Sequence, residues 1–283
     1  MSGGIDLPDF GFEVGAFSDV GTEREHNEDS CGYHIESATS ALIAVADGVS
    51  SSAGGETASR MAIEILLREY REQRTDLGIG RRLSRAIQRA NIEVYELALT
   101  VPELAGMATT LTAVAIDRGE VVAAHVGDSR LYRARGGTIA QLTKDHTAAA
   151  EQVRLGLLSE RRARHHPGRS LLTRSLGREL IVGLGRLSFG AAQGDVLVLC
   201  SDGLYNVLGD SDIELLVRGA TAEAASRALV DAANQRGTFD NVTAAVLRVT
   251  GSVPAAPRQS LGAWLRRLAE AFGGRRRHGP QPG

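Results

Sequence analysis

Two short stretches of the chain end in the same way: residues 41–48 read ALIAVADG, and residues 196–203 read VLVLCSDG. Each is a continuous apolar run, typical of a buried strand, that stops abruptly at Asp-Gly. A glycine directly after the Asp lets the chain turn away while the carboxylate points beyond the end of the strand. The two stretches therefore predict two core strands that each place a carboxylate, Asp47 or Asp202, at a strand end.

The elements around these two strands come in blocks. In chain order, the patterns predict strands at 12–20, 41–46, 109–116, 121–126, 131–133, 196–200 and 242–249, and helices at 54–74, 81–99, 213–217 and 222–233. Residues 117–119 read Asp-Arg-Gly and predict a hairpin turn. Because strands come in hairpins and helices in pairs, the pattern favours an α+β sandwich, in which antiparallel sheets are covered by helices.

The bulk composition is that of an ordinary globular chain. The 283 residues are 43% hydrophobic and 23% charged, which allows a sizeable core, and a net charge of −2 gives no support to nucleic-acid binding. The first residues do not resemble a signal peptide, and no run reaches the ~18 apolar residues of a membrane span, so we expect a cytoplasmic protein. Cys31 and Cys200 form no C-x-x-C pair, and we expect small buried hydrophobic residues in a reducing compartment.

Two more acids lie at strand ends. Gly127-Asp128 follows the strand at 121–126, and Asp240-Asn241 directly precedes the strand at 242–249. One Asp-Gly is usually only a turn, but carboxylates that converge repel one another and raise each other's pKa. Hard divalent cations such as Mg²⁺ or Mn²⁺ relieve that repulsion, because they prefer carboxylate, carbonyl and water oxygens as ligands. The pattern therefore indicates a site for divalent metal ions.

Eight short motifs make the interpretation specific. In chain order they are SDVGTEREHNEDS at 18–30, ADG at 46–48, ATTL at 108–111, VGDSR at 126–130, LTKDH at 142–146, LTRSLG at 172–177, CSDGL at 200–204 and DNVT at 240–243. In type and order they resemble the type 2C, or PPM, family of metal-dependent serine/threonine phosphatases, in its short bacterial form. The fold that we expect is a four-layer α-β-β-α sandwich, with two antiparallel sheets flanked by helix pairs.

The resemblance also implies roles for residues that match the motifs. Asp47 would bridge two metal ions, and the backbone carbonyl of Gly48 would bind one of them. Asp202 and Asp240 would hold the other ion, and Asp128 with Asp202 would form a third, weaker site. The implied cofactors are two or three ions of Mn²⁺ or Mg²⁺.

Three more residues are assigned to the reaction by the same resemblance. Glu28 and Asp29 would bind or orient metal-bound waters, and Arg24 would grip the substrate phosphate, whose oxygens suit its planar fork. The expected reaction is hydrolysis of phosphoserine and phosphothreonine monoesters by direct attack of a metal-bridging hydroxide, without a covalent phosphoenzyme. The expected partners are phosphorylated proteins, namely a bacterial serine/threonine kinase or its substrates.

Two departures from the family pattern lie just after Asp47-Gly48. Many eukaryotic members have a His there, proposed as the general acid, whereas this chain has Val49, which cannot donate a proton; no general acid is assigned. Residues 50–53 read Ser-Ser-Ser-Ala, which changes the loop but not the metal ligands. A second hypothesis is therefore a catalytically weak pseudophosphatase that acts as a binding or regulatory module. A third is a metal-dependent hydrolase of a small phosphorylated metabolite.

Other chemistries fit the sequence less well. Neither Cys has the Arg six positions later that a Cys-based phosphatase requires, and Lys144 does not end a Gly-rich phosphate loop. The spacings of His26, His146, His165 and His166 match no common zinc pattern. Residues 144–175 are rich in Arg and His, and we interpret them as a helix with a flap beside the cleft. The Arg side chains of this flap either contact a phosphoprotein or lie in solvent.

The chain divides into two parts. Residues 8–250 are predicted to form the catalytic domain of a monomer, and residues 251–283 a Pro- and Ala-containing linker with a basic tail of six Arg and one acid. Within the tail, Leu261, Trp264 and Leu268 would share one face of a helix. We expect residues 258–277 either to dock on a partner protein or a membrane surface, or to pack on their own domain.

Overall fold

The structure is a computed structural model that describes residues 11–49, 54–73 and 77–251. The strands are β1 Phe12–Asp19, β2 Asp29–Ser37, β3 Ser40–Asp47, β4 Leu111–Asp117, β5 Glu120–Val126, β6 Arg130–Arg135, β7 Thr138–Gln141, β8 Gly185–Gly190, β9 Val196–Cys200 and β10 Val242–Val249. The α-helices are α1 Gly55–Glu72, α2 Ile79–Thr100, α3 Ala148–Arg154, α4 Glu160–Ala163, α5 Asp202–Tyr205, α6 Asp210–Val217 and α7 Ala222–Gln235. Short 3₁₀ helices occupy Pro102–Leu104 and Pro167–Arg169.

The ten strands form two five-stranded antiparallel sheets. One sheet has the order β1-β10-β9-β6-β7 and the other β2-β3-β4-β5-β8. Helices α1 and α2 cover the second sheet, and α6 and α7 cover the first. The predicted four-layer α-β-β-α sandwich is therefore confirmed.

Strand β3 shows why its sequence is apolar without a break. Leu42, Ala44 and Ala46 pack against α1 and α2, whereas Ile43 and Val45 pack between the two sheets. Both faces of the strand are buried, so the alternation of polar and apolar residues that marks a half-exposed strand is absent. The same partition places Val198 under the helices and Leu199 between the sheets in β9.

Most predicted elements are present within a few residues of their expected ends, and the hairpin turn at 117–119 has positive φ at Arg118 and Gly119, as a two-residue turn of this kind requires. The sequence analysis missed β2, β7 and β8. The turn predicted at Asp202 is instead the start of the short helix α5. The predicted helix and flap at 144–175 contain α3, α4 and a 3₁₀ turn.

Four further expectations concern the loop at 50–53, the tail, membrane spans and the two cysteines. The altered loop at 50–53 and the docking element at 258–277 lie outside the described residues. Among the helices that the structure does describe, none combines the length and the apolar character needed to cross a membrane. Cys200 is buried and Cys31 partly so, and both are free thiols whose pKa is raised by burial, to about 12 and about 11.

Candidate active site

Both sheets end in carboxylates on the same side of the sandwich. In one sheet, Asp29 begins β2 and lies directly opposite Asp47, the last residue of β3. In the other sheet, Asp202 follows the end of β9, Asp128 precedes β6, and Asp240 precedes β10. We call these five residues the carboxylate cluster, and the end of the sandwich that carries them the site end.

Four members of the carboxylate cluster, Asp29, Asp47, Asp128 and Asp202, have a raised pKa. Burial is the largest cause for Asp47, followed by the charges of the four other members, and together they raise its pKa well above the ordinary value. Burial and the charges of Asp202 and Asp145 do the same to the pKa of Asp128. The pKa of Asp29 rises to about 7 and that of Asp202 to about 6, in both cases mainly through burial. The cluster is therefore a concentration of negative charge that the protein alone does not neutralise.

Neighbouring side chains orient several of these carboxylates. The hydroxyl of Ser201 donates to Asp29 at 2.6 Å, and the amide of Asn206 donates to Asp202 at 3.1 Å. The hydroxyl of Tyr205 donates to the backbone carbonyl of Asp128 at 3.1 Å. Helix α5, with Ser201 before it and Asn206 after it, thus holds three members of the cluster in place.

The Asp47-Gly48 turn is fixed by its backbone. The amide of Asp47 donates to the hydroxyl of Thr110 at 2.9 Å, and its carbonyl accepts from the hydroxyl of Thr109 at 2.9 Å. A Cβ at Gly48 would lie 2.5 Å from the backbone of Gly55 and 2.7 Å from the carbonyl oxygen of Glu28. Only glycine fits at this close approach, which leaves the Gly48 backbone packed directly against the segment that carries Glu28.

Arg24 and Glu28 come from the loop between β1 and β2, residues 20–28, which we call the β1–β2 loop. The guanidinium of Arg24 donates to Asp240 at 2.9 Å, and its side chain is 37% exposed. The carboxylate of Glu28 lies beside the first turn of α1, within about 3 Å of where a Cβ on Gly55 would stand. The structure therefore places Arg24 against Asp240, and Glu28 next to the Gly48–Gly55 contact beside Asp47.

The donor set of the cluster suits hard cations. Carboxylate and backbone carbonyl oxygens are the ligands that Mg²⁺ and Mn²⁺ prefer, and a buried group of carboxylates with raised pKa values is stabilised by positive charge. Within residues 11–49, 54–73 and 77–251, no three His, Cys, Asp or Glu side chains stand close enough together to enclose an ion. The residues present fit divalent cations by the chemistry of their oxygen donors and by charge.

His146, one of the His residues considered as a zinc ligand, has a structural environment instead. The ring of His146 stacks on that of His125, with centroids 4.5 Å apart, and its Nδ1 accepts from the amide of Gly127 at 3.2 Å. Burial lowers the pKa of both rings to about 4, helped by Arg174. These neutral rings support the turn before Asp128 from below.

Sequence reasoning missed several residues that shape the site. Ser201 was named only within the CSDGL motif and Asn241 only beside Asp240 and within the DNVT motif, and Tyr205 and Asn206 were not singled out. A polar residue next to a strand-end acid is the one signal the sequence offers for them. The partners of Ser201, Tyr205 and Asn241 are distant in sequence, so spacing does not identify them, whereas Asn206 bonds Asp202 only four positions away.

Known proteins are similar to this chain in sequence and in fold. The family described as Protein phosphatase 2C matches residues 22–266. The serine/threonine phosphatase stp of Listeria monocytogenes is 34% identical over 230 residues, which are 80% of this chain and 91% of that protein. The structure of the phosphatase MsPP from Mycobacterium smegmatis, in complex with cacodylate, has a TM-score of 0.72 and 36% identity, and the match covers 83% of this chain and 97% of that one.

A further solved structure bears on the metal ions. The catalytic domain of the serine/threonine phosphatase PstP, in complex with two manganese ions, matches with a TM-score of 0.74 and 31% identity, covering 85% of this chain and 99% of that one. Fold, site and relatives together define a phosphoprotein phosphatase of the metal-dependent serine/threonine class. The chain belongs to the protein phosphatase 2C family.

Proposed function

We propose that the carboxylate cluster is the metal centre of this phosphatase and that the enzyme hydrolyses phosphoserine and phosphothreonine in proteins. The observation that carries the proposal is the cluster itself, in which buried carboxylates raise one another's pKa at the end of both sheets. Asp47 and the carbonyl of Gly48 hold one side of the centre, and Asp202 and Asp240 the other. Asp128, with Asp202, supplies a third and weaker position. The ions are two or three Mn²⁺ or Mg²⁺.

The residues around the centre divide the work of phosphoryl transfer. When bound, divalent cations offset the charge of the phosphoryl oxygens and lower the pKa of water, so that water can attack phosphorus directly. Arg24 binds the phosphate through its guanidinium, and its contact with Asp240 aims it at the centre. Glu28 and Asp29 accept hydrogen bonds from water and orient it. No side chain of the cluster forms a covalent bond to phosphorus, so the protein contributes positioning and electrostatics.

The substrate side of the proposal rests on charge and on the relatives. The relatives named above are serine/threonine phosphatases, so the counterpart of this enzyme is a bacterial serine/threonine kinase or its substrates. Flap residue Arg169 donates to Asn206 at 3.4 Å, and Asn206 in turn donates to Asp202. The flap therefore reaches the rim of the centre, where its Arg residues can meet a phosphoprotein. The enzyme acts in the cytoplasm as a monomer.

The test is hydrolysis of p-nitrophenyl phosphate by the purified protein with Mn²⁺, with Mg²⁺ and with EDTA. We expect metal-dependent turnover that Asp202→Asn abolishes and that Asp231→Asn, an exposed acid on α7, leaves unchanged. Phosphoserine and phosphothreonine peptides should then be cleaved in preference to phosphotyrosine peptides. A folded protein with no turnover with either metal would contradict the proposal and favour a pseudophosphatase. Turnover of phosphorylated metabolites but not of phosphopeptides would overturn the substrate class.

A further inference from the structure

The β1–β2 loop is tied down by one buried side chain, that of Asn241. Its amide nitrogen donates to the carbonyl of Val20 at 2.8 Å and to that of His26 at 2.9 Å. Its amide oxygen accepts from the backbone N–H of Glu28 at 2.9 Å. Asn241 is only 5% exposed, so these three bonds replace water contacts that the side chain no longer makes. The beginning, the middle and the end of the loop are thus joined at one point.

The loop crosses the end of β10 in close contact. A Cβ at Gly21 would lie 2.2 Å from the carbonyl oxygen of Asp240, and the hydroxyl of Thr22 donates to the carbonyl of Thr238 at 2.6 Å. The segment 238–241 therefore holds the loop from below, through contacts between residues more than 200 positions apart in the chain. Because the Asn241 side chain bonds both Val20 and Glu28, it fixes the distance between the beginning and the end of the loop.

We propose that Asn241 is the positioning residue that fixes Arg24 and Glu28 with respect to Asp240. The inference rests on the proposed function, in which Arg24 binds the phosphate and Glu28 orients water, because Asn241 acts only through these two residues. Asn241 itself touches neither substrate nor ions. Its backbone N–H donates to Asp240 at 2.9 Å. Asn241 therefore binds both the Asp240 carboxylate and the β1–β2 loop.

Asparagine is the residue type that this position needs. Two of its bonds are donated to carbonyls and one is accepted from an N–H, a combination that a side-chain amide provides and a carboxylate does not. Aspartate would face two carbonyl oxygens with an acceptor, and alanine would leave the carbonyls of Val20 and His26 and the N–H of Glu28 without partners. Both changes would free the loop while the backbone of β10 stays paired.

The fold contains a matched control elsewhere. Asn91 on α2 is fully buried, donates to the carbonyls of Glu179 and Leu180 at 2.8 and 3.1 Å, and accepts from the N–H of Gly177 at 3.0 Å. It makes the same three bonds as Asn241, but to residues within 177–182, which include neither Arg24 nor Glu28. Asn241→Ala and Asn91→Ala therefore remove equal sets of hydrogen bonds and should cost similar amounts of stability.

The test combines hydrogen exchange with a double-mutant cycle. In the metal-free protein, Asn241→Ala should speed amide exchange in residues 20–28 and not in 177–182, and Asn91→Ala should do the reverse. With Mn²⁺ and p-nitrophenyl phosphate, Asn241→Ala should lower kcat/KM about tenfold, chiefly by raising KM. The inhibition constant of inorganic phosphate should rise by a similar factor. In a protein that already carries Arg24→Ala, adding Asn241→Ala should lower kcat/KM by a further factor of less than about two.

The outcomes separate this inference from the function on which it rests. Exchange in residues 20–28 that Asn241→Ala leaves unchanged would overturn it, and so would fully additive effects of Arg24→Ala and Asn241→Ala. An equal loss of kcat/KM in Asn91→Ala would show that stability alone is at work, which also contradicts it. If Arg24→Ala has no effect on kcat/KM, the assigned role of Arg24 fails. The exchange result still decides whether Asn241 holds the loop.

Discussion

Strand β2 carries an acid at each end, and the two have opposite surroundings. Asp29, at the site end, faces other carboxylates, and its pKa is raised to about 7 by burial and, among the charges, by Asp202 and Asp240. Glu36, at the far end, receives two hydrogen bonds of 3.1 Å from the guanidinium of Arg82, which lower its pKa. The same strand therefore delivers one acid to a neutralising partner and the other to like charges.

Strand β9 repeats the contrast. Asp195, just before the strand, binds the guanidinium of Arg135 at the far end, whereas Asp202, just after it, has a pKa raised to about 6. At the far end, charges are paired within the chain and stabilise the fold. At the site end, the cluster has Arg24 as a direct partner only at Asp240, and positive charge has to come from a ligand. This contrast is the reason that we propose the site end as the functional site.

The largest expected effect comes from Asp47→Asn, which removes one charge from the site end without changing the shape of the side chain. We expect kcat/KM for p-nitrophenyl phosphate to fall by at least about 10²-fold, since the centre loses a shared ligand. Unfolding of the metal-free protein by urea should at the same time require more free energy, because repulsion within the cluster is relieved. A loss of both activity and stability would mean that the cluster is structural.

The counterpart at the far end is Glu36→Gln. Arg82 is 3% exposed and loses its charged partner, so the free energy of unfolding should fall by about 2 kcal/mol, while activity per folded molecule stays the same. Urea denaturation and the p-nitrophenyl phosphate assay measure the two quantities. Glu64→Gln, in an exposed pair with Arg60 at 3.8 Å, is the control and should change stability by less than about 0.5 kcal/mol. Loss of specific activity in Glu36→Gln would break the contrast between the ends.

The next expected effect is on the pH dependence of stability, through the ring of His125. Its pKa is lowered to about 4 by burial first and by His146 second, so between pH 6.5 and 4 the unfolded chain binds more protons than the folded one. The contribution of this ring is then fully present above pH 6.5 and is lost on acidification through this window, at about 1 kcal/mol per pH unit. In EDTA, the difference in free energy of unfolding between the unchanged protein and His125→Asn, measured with urea, should therefore fall as the pH is lowered from 6.5 to 4. The difference for His165→Asn, an exposed His of the flap, should stay constant.

The fold was predictable where burial leaves a strong pattern. Strands β3, β9 and β10 are apolar on both faces, and α1 and α2 repeat apolar residues at helical steps, so their types follow from the sequence. Strand β2 was missed because its outer half is exposed and carries Tyr33 and Ile35 at 47% and 50% exposure. Strand β8 alternates between half-buried and exposed residues over only six positions. Pairing with a neighbouring strand, rather than its own composition, makes such a segment a strand.

The sequence pointed to the acidic residues of the candidate site, but not to the residues that hold them and the β1–β2 loop in place. Asp47 and Asp202 can be recognised in the sequence because each ends a continuous apolar run, and the family motifs pointed to Arg24 and Glu28. The bonds from Asn241 to the β1–β2 loop depend on which loop crosses the end of β10, and that is a property of the sheet order β1-β10-β9. Sequence spacing carries no record of it, because the partners lie more than 200 residues apart.

The most direct measurement is calorimetric titration of Mn²⁺ into the metal-free protein, beside Asp47→Asn and Glu36→Gln. The contrast between the two ends predicts saturable binding of more than one ion to the unchanged protein and to Glu36→Gln, and a loss of at least one ion, or a drop in affinity of about tenfold or more, in Asp47→Asn. Equal binding by all three proteins would contradict the claim that the unneutralised carboxylates at the site end form the metal centre.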